Sequence, residues 1–239
     1  MTFFYFFFLL FLFIFLCNFL LLVLSVNKKS PKIFIRYFFI SILLVAWLAL
    51  VLQQINEVAY VAARQVLGNL VLSIWVCISL YLNKDLKLAL LSDFLYKIKN
   101  FILNKETKRI ILMVFYISLL QIISFSPVVS LNFLSGPSSF SWLDFISLAL
   151  CVFGIASYLK AFANQAAEQT PIKKGFLSLA MHPEYFGNFI FILGLYLLSI
   201  GTTGGVWSLI GPLTILLLMY KVIIPENERR ALKRSNIHN

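Results

Sequence analysis

The residues best suited to chemistry lie in one short stretch, residues 180–188, which connects two long apolar segments. It contains His182, one of two histidines in the chain, followed by Pro183, Glu184 and Tyr185. Pro183 suits the first turn of a helix, because its missing N–H has no intrahelical partner there. Glu184 places a negative charge near the positive end of the helix dipole.

If a helix begins at this stretch, His182 and Tyr185 are three residues apart and share one face. The free backbone N–H groups of the first turn, beside an imidazole and a phenol, can bind a phosphate or a carboxylate. An ordinary histidine and tyrosine at a membrane boundary explain the same pattern, so the spacing leaves both interpretations open.

The second informative stretch is the charged tail, residues 221–234, with the sequence KVIIPENERRALKR. Pro225 breaks the preceding apolar segment, and Glu226 and Glu228 follow it among basic residues. A short glycine-rich turn at residues 201–205 would return the last apolar helix beside the previous one. Glu228 would then lie beside His182 at one mouth, although a solvated tail explains the charges equally well.

Composition sets the class of protein. The chain of 239 residues is 61% hydrophobic and 12% charged, and its mean hydropathy is +0.93. A soluble domain of this length cannot bury so many apolar side chains, so a lipid bilayer must act as solvent. The net charge of +11 therefore indicates anionic lipid headgroups and membrane orientation rather than nucleic acid.

No metal site is predicted. The three cysteines, Cys17, Cys77 and Cys151, each lie within an apolar segment without CxxC spacing. We interpret them as small buried hydrophobic residues.

The hydropathy pattern predicts an all-α, polytopic transmembrane bundle of about seven spans. A first helix follows directly from the N-terminus and is retained, because it lacks the basic start and the short apolar core of a signal peptide. The predicted spans are residues 3–26, 33–53, 66–83, 109–130, 142–162, 185–200 and 206–224.

Residues 84–108 differ from these spans, because leucine, isoleucine and phenylalanine recur at helical spacing between lysines such as Lys87 and Lys97. This pattern predicts a basic amphipathic helix at the cytoplasmic surface. We divide the chain into an N-terminal transmembrane region, residues 1–141, and a C-terminal region with its tail, residues 142–239.

The distribution of basic residues orients the bundle. Alternation of seven spans places residues 27–36, 84–109, 160–174 and 221–234 on one side of the membrane. These stretches contain 19 of the 20 lysines and arginines, and Arg64 alone falls on the other side. The positive-inside rule then predicts an external N-terminus and a cytoplasmic C-terminus.

Three motifs follow one another in the C-terminal region: GFLSLAMHPEYFG at 175–187, WSLIGP at 207–212 and PENE at 225–228. Over about residues 142–234 this order resembles the C-terminal domain of steroid 5-alpha-reductase-like membrane proteins, and in particular their bacterial relatives of unknown substrate. The wider superfamily includes isoprenylcysteine carboxyl methyltransferases and phospholipid methyltransferases. The resemblance implies a multi-pass protein of the bacterial inner membrane.

The resemblance also implies a cytosol-facing cavity for a nucleotide cofactor, which is NADPH in the reductases and S-adenosylmethionine in the methyltransferases. The matching cofactor-contacting positions are Gly175, His182, Pro183, Tyr185, Gly187, Asn188 and Glu228. Tyr185 and His182 are the implied catalytic residues, and the two glycines would allow the backbone to approach the cofactor closely.

This chain departs from the family pattern at Met181, at Asn188 and at Ser178, which stands where the family has another basic residue in the preceding loop. Met181 replaces the arginine that precedes His-Pro, and Asn188 replaces the glutamate that usually follows Phe-Gly in the reductase-like relatives. Without that arginine a phosphate loses a charge-assisted hydrogen bond of about 1.5–3 kcal/mol. Lys173 and Lys174 can supply charge but not the forked geometry of a guanidinium group.

Three hypotheses about function remain open. The first is an NADPH-dependent membrane reductase that acts on a C=C bond of a lipid or sterol-like substrate, and the motifs at 185–188 and 207–212 favour it. The second is a membrane methyltransferase that uses S-adenosylmethionine. The third is a non-catalytic relative that binds lipid. In each case the partner is a membrane lipid or another hydrophobic small molecule; the oligomeric state and the substrate are left open.

The topology can be tested with reporter fusions. A reporter fused after Asn83 should lie in the cytoplasm, and one fused after Ser135 should lie outside, because the basic stretches alternate with the spans. Both reporters on the same side would contradict this arrangement.

Overall fold

The computed structural model describes residues 3–27, 31–56, 63–82, 107–133, 140–164, 183–202 and 205–223, and throughout these ranges the chain is helical, with short turns. Its α-helices are α1 Phe3–Asn27, α2 Pro31–Asn56, α3 Ala63–Leu82, α4 Thr107–Ser124, α5 Ser126–Phe133, α6 Trp142–Asn164, α7 Pro183–Ile200 and α8 Ile210–Leu218. A 3₁₀ helix, Gly205–Leu209, precedes α8, and a π-helical turn, Met219–Ile223, follows it. The all-α prediction is confirmed for these residues.

Among the described residues, two helices are long and apolar enough to cross a membrane, Ala63–Leu82 and Trp142–Ala161. The bent pair Ile111–Ser124 and Ser126–Asn132 makes a third candidate if it forms one span. Large apolar side chains such as Phe145, which is 68% exposed, face outward. These features are consistent with a membrane protein, while the count of seven spans stays a prediction. Residues 84–106 of the predicted surface helix lie outside the described residues.

The predicted fourth span is not one continuous helix. The chain bends by 59° between α4 and α5, at Phe125. Pro127 explains the break, because proline lacks the N–H for an intrahelical bond and its ring clashes with the preceding turn. The helix restarts at once, since the N–H groups of Val128 and Val129 both donate to the carbonyl of Phe125, at 3.0 and 3.2 Å. Residues 109–130 therefore comprise two helices joined at a bend, and their crossing of the membrane as one span stays a prediction.

The most extensive helix–helix contact among the described residues is a seam of small residues between α6 and α7. A Cβ atom added at Gly154 of α6 would lie 2.6 Å from the backbone nitrogen of Phe191, and one added at Gly187 of α7 would lie 2.7 Å from the carbonyl of Gly154. Two turns further along, the Ser147 hydroxyl donates to the carbonyl of Gly194 at 2.6 Å. Small residues allow such backbone contact in membrane proteins, where packing replaces the hydrophobic effect between helices.

Residues from both predicted regions share one hydrophobic core. Trp75 and Leu72 of α3 pack in the same buried cluster as Phe191 and Leu195 of α7 and Cys151 of α6. The division at residue 141 is not tested by this packing, but the site on α7 depends on side chains from the N-terminal half.

The last helices form the predicted hairpin. The backbone N–H of Thr202 donates to Ser199 at 2.9 Å, and that of Gly205 donates to Thr202 at 3.0 Å, so the chain reverses directly after α7. The π-helical turn then returns Met219 to the beginning of α7, where it packs against Tyr185. The antiparallel return predicted from the glycine-rich turn is confirmed.

The seam generates a stability prediction. Gly187→Ala should destabilise the protein by about 1–3 kcal/mol, because the added methyl group meets backbone atoms that cannot rotate away. This cost exceeds the gain in helix propensity of about 1 kcal/mol. Thermal unfolding of the purified protein in detergent measures the difference.

Ala156→Leu is the matched control, since Ala156 lies on the exposed face of α6 and gains more volume without a clash. Equal unfolding temperatures for Gly187→Ala and the wild type would contradict the close contact.

Candidate functional site

The helix that carries the motif begins where the sequence predicts it. Pro183 is the first residue of α7, so the missing N–H of proline falls at a position without an intrahelical partner. Tyr185 follows in the first turn, is half-buried, and packs with Phe186 and Phe189 against Met219. The structure therefore places Tyr185 between the start of α7 and the end of the final helical segment.

Three residues of the predicted site, Gly175, His182 and Glu228, lie outside the described residues, as does Met181. The predicted convergence of His182, Tyr185 and Glu228 on one cavity therefore stays a prediction. The described residues meet one requirement of this prediction. Met219, which precedes Glu228 in the chain, packs against Tyr185.

Gly187 lies buried in the seam with α6, and its Cα faces the carbonyl of Gly154 and the backbone nitrogen of Tyr158. The need for glycine at this position is thus explained by helix packing. A contact between Gly187 and a cofactor was predicted from the resemblance alone and is not needed to account for the residue.

Asn188, the next residue, faces a different neighbour. Its side-chain oxygen accepts a hydrogen bond of 3.2 Å from the indole N–H of Trp75 in α3. Because an indole N–H can only donate, this bond assigns the oxygen of the Asn188 amide to Trp75 and leaves its NH₂ group on the other side.

Trp75 is held by aromatic rings from three other segments. Its indole stacks on Phe191 with ring centroids 5.1 Å apart and an interplanar angle of 11°. Phe39 of α2 meets it edge-on at 5.6 Å, and Phe125 at the α4–α5 break lies at 6.1 Å. Aromatic pairs at these distances contribute about 0.5–1.5 kcal/mol each beyond burial, so the ring orientation is well defined.

Trp75 and Asn188 line a cavity of about 320 Å³ between α2, α3, α4, α7 and α8. Most of its walls are aliphatic or aromatic side chains, and its other polar residues are Gln121 and Ser124 of α4. Leu120 both lines the cavity and is 37% exposed on the outer surface, so the cavity reaches the side of the bundle. Met219 also lines the cavity. Tyr185 does not line it but packs against Met219.

The polar wall formed by Gln121 belongs to a network between three helices. Asn18 of α1 donates to the Gln121 side-chain oxygen and to the Ser118 hydroxyl, each at 3.0 Å. The Gln121 amide nitrogen donates to Ser41 of α2 at 2.8 Å. Both ends of the Gln121 amide are thus engaged within the protein, and Asn188 is the amide on the opposite wall of the cavity.

A family model described as "protein of unknown function (DUF1295)" matches residues 21–238. The chain belongs to the DUF1295 family. The match extends beyond the motif-bearing region, residues 142–234, and includes the helices that supply Trp75 and Gln121. No curated protein and no solved structure matches the chain.

This DUF1295 family member also contains a buried ion pair at the other end of α7. The Arg64 guanidinium donates to both carboxylate oxygens of Asp144, at 2.8 and 2.6 Å, and to the carbonyl of Gly201 at 3.2 Å. The backbone N–H of Ser141 donates to the same carboxylate at 2.7 Å, which caps α6. This pair joins the start of α3, the start of α6 and the end of α7.

Sequence analysis singled out Arg64 as the exception among the basic residues but did not find its partner Asp144. Asp144 could have been predicted as the partner, because it is an acidic residue at the start of an apolar helix and charges inside a bundle are costly and usually paired. Trp75 was missed as well, although a tryptophan in an apolar span needs a partner for its N–H. Gln121 gave the same signal, because amides in apolar spans join helices by hydrogen bonds.

The ion pair generates a double-mutant prediction. Asp144→Leu should destabilise the protein by about 3–5 kcal/mol, because it leaves the Arg64 charge buried without its partner. Arg64→Met combined with Asp144→Leu should restore part of that stability, because no unpaired charge remains. Denaturant unfolding of Asp144→Leu, Arg64→Met and the double variant in detergent measures the coupling.

Lys160→Met is the control, since Lys160 is exposed on α6 and its loss should have little effect on stability. Purely additive effects of the Arg64 and Asp144 substitutions would show that the pair makes no energetic contribution.

Proposed function

We propose that this protein is an integral membrane reductase that transfers a hydride from NADPH to an activated C=C bond of a lipid or sterol-like substrate. The observation that carries the proposal is the position of the apolar cavity. The helix that begins at Pro183, directly after His182 in the sequence, also contributes Asn188 to the wall of that cavity. A cofactor at the start of α7 and an apolar substrate in the cavity would therefore be neighbours.

The resemblance to steroid 5-alpha-reductase-like proteins supports the same proposal. The DUF1295 family match covers all the helices that line the cavity. The motifs at 185–188 and 207–212 favour a reductase over a methyltransferase. Function resides in the site rather than in the fold, so the cavity is the stronger argument.

The residues present suit an anionic cofactor at the cytoplasmic end of α7. The first backbone N–H groups of a helix have no intrahelical acceptors and favour a negative charge. Lys173 and Lys174 precede α7, and Arg229 and Arg230 follow the last helical segment. We propose that the phosphates bind between the loop 163–181 and the tail 225–234, with Glu228 and Gly175 at the same mouth.

NADPH supplies the hydride when it is bound, and the chain must supply the proton and a dry environment. The new C–H bond forms as the C=C π bond breaks, and the displaced electron pair takes a proton at the neighbouring carbon. Tyr185 and His182 are the proton donors we assign, because both lie at the start of α7 and can be reprotonated from the aqueous side. The apolar walls beyond Asn188 exclude water from the reacting carbons.

The membrane arrangement belongs to the same proposal. Seven spans with an external N-terminus and a cytoplasmic C-terminus, in a bacterial inner membrane, would place the cofactor mouth in the cytoplasm. A lipid substrate would enter sideways from the bilayer, past Leu120, where the cavity reaches the outer surface.

Cofactor binding tests the proposal directly. Titration calorimetry of the detergent-purified protein should detect NADPH binding and no binding of S-adenosylmethionine. Met181→Arg should tighten NADPH binding roughly ten- to a hundredfold, because it restores one charge-assisted hydrogen bond. His182→Ala should weaken binding.

His238→Ala is the matched control, since it removes the other histidine of the chain, in the tail beyond residue 234. Binding of S-adenosylmethionine instead of NADPH would identify a methyltransferase. If neither cofactor binds the wild type or Met181→Arg, both enzymatic hypotheses fail and the non-catalytic one stands.

A further inference from the structure

One side-chain amide in the wall of the cavity of about 320 Å³ is oriented by a hydrogen bond but keeps part of its hydrogen-bonding capacity. Gln121 is engaged at both ends by Asn18 and Ser41. The side-chain oxygen of Asn188 accepts a hydrogen bond from Trp75, and within the described residues its side chain makes no other hydrogen bond. The NH₂ group of Asn188 is therefore left as a hydrogen-bond donor at the wall of an apolar cavity.

The orientation of this donor is fixed by Trp75. The stacked contact with Phe191 and the edge contact with Phe39 hold the indole ring, so its N–H points at the Asn188 oxygen. A reversed Asn188 amide would set two donors against each other, which is unfavourable in an apolar site. Trp75 is thus a positioning residue for Asn188.

The volume of the cavity limits its ligand. The value lies at the lower end of the range of about 300–1,000 Å³ for small-molecule sites, so the cavity encloses only part of a lipid. A rigid tetracyclic sterol or a diacyl phospholipid is broader than one alkyl chain, and a flexible single chain can follow the cavity and leave it past Leu120.

We infer that the cavity binds a single-chain lipid whose oxygen acceptor, such as a carbonyl group, receives a hydrogen bond from the NH₂ group of Asn188. The chain occupies the apolar part of the cavity, and a longer chain extends past Leu120 into the bilayer. The inference rests on the proposed function only in treating this cavity as the substrate site, and it narrows the substrate from lipids and sterols to single-chain lipids.

Competition binding tests the inference without NADPH. The full-length protein in lipid nanodiscs is incubated with radiolabelled methyl nonyl ketone, with empty nanodiscs subtracted. The unlabelled competitors are the same ketone, the branched alkane in which a methyl group replaces the carbonyl oxygen, and cholestanone. The ketone should compete roughly three- to tenfold better than the alkane, as expected for one hydrogen bond, and cholestanone should compete poorly.

Asn188→Leu should bind the ketone and the alkane equally, and its retained alkane binding shows that the cavity is folded. Trp75→Phe keeps an aromatic ring but removes the N–H, so the advantage of the ketone over the alkane should shrink. Phe153→Leu is the control, since Phe153 is 54% exposed on the outer face of α6.

Equal competition by ketone and alkane in the wild type, or a ketone preference that persists in Asn188→Leu, would overturn the role of Asn188. Strong competition by cholestanone would overturn the size limit. Specific ketone binding by a protein that binds no NADPH would refute the proposed reductase and leave the lipid site intact, so the two failures are distinguishable.

Discussion

The backbone contact between α6 and α7 determines what every other residue of α7 can touch. Gly154 and Gly187 meet at less than the distance that a side chain would allow, so the rotation of α7 about its axis is fixed. Successive residues of a helix lie about 100° apart around its axis. With Gly187 turned to α6, Asn188 faces Trp75 of α3, and Tyr185 faces Met219 at the end of the final helix. The positions of both candidate site residues therefore follow from one helix contact.

A bilayer core offers no water to a polar side chain, so each amide or charge inside this bundle requires a protein partner. Asn69 and Asn132 exchange hydrogen bonds of 2.8 and 3.0 Å between α3 and α5. The guanidinium group of Arg64 donates to both carboxylate oxygens of Asp144. These pairs join helices that are distant in sequence. Asn18 and Asn188 are engaged only in part. The buried side-chain oxygen of Asn18 has no hydrogen-bond partner among the described residues, and at Asn188 only the oxygen is engaged, by Trp75. Of these two residues, Asn188 is the one that lines the cavity.

Local signals in the sequence predicted most of the helices, because long apolar runs and residues such as Pro183 mark their limits. The break at Phe125 was not predicted. Whether a proline kinks a helix or ends it depends on the side chains that pack around it, and the local sequence does not show these. The hydrogen bond from Trp75 to Asn188 joins residues that are 113 apart in the sequence. Hydrophobic periodicity predicts local helices and does not predict such a long-range pair. Gly187 was assigned to a cofactor from its motif, whereas its neighbour across the seam explains it. The roles of His182 and Glu228 stay predictions.

The end of the chain connects the two parts of the proposed site. Met219 lines the cavity, packs against Tyr185, and begins the π-helical turn that ends at Ile223, two residues before Pro225. A π-helical turn widens the backbone relative to an α-helix and is frequent at functional sites. The tail that we propose to bind the cofactor phosphates thus continues directly from a residue in the cavity wall.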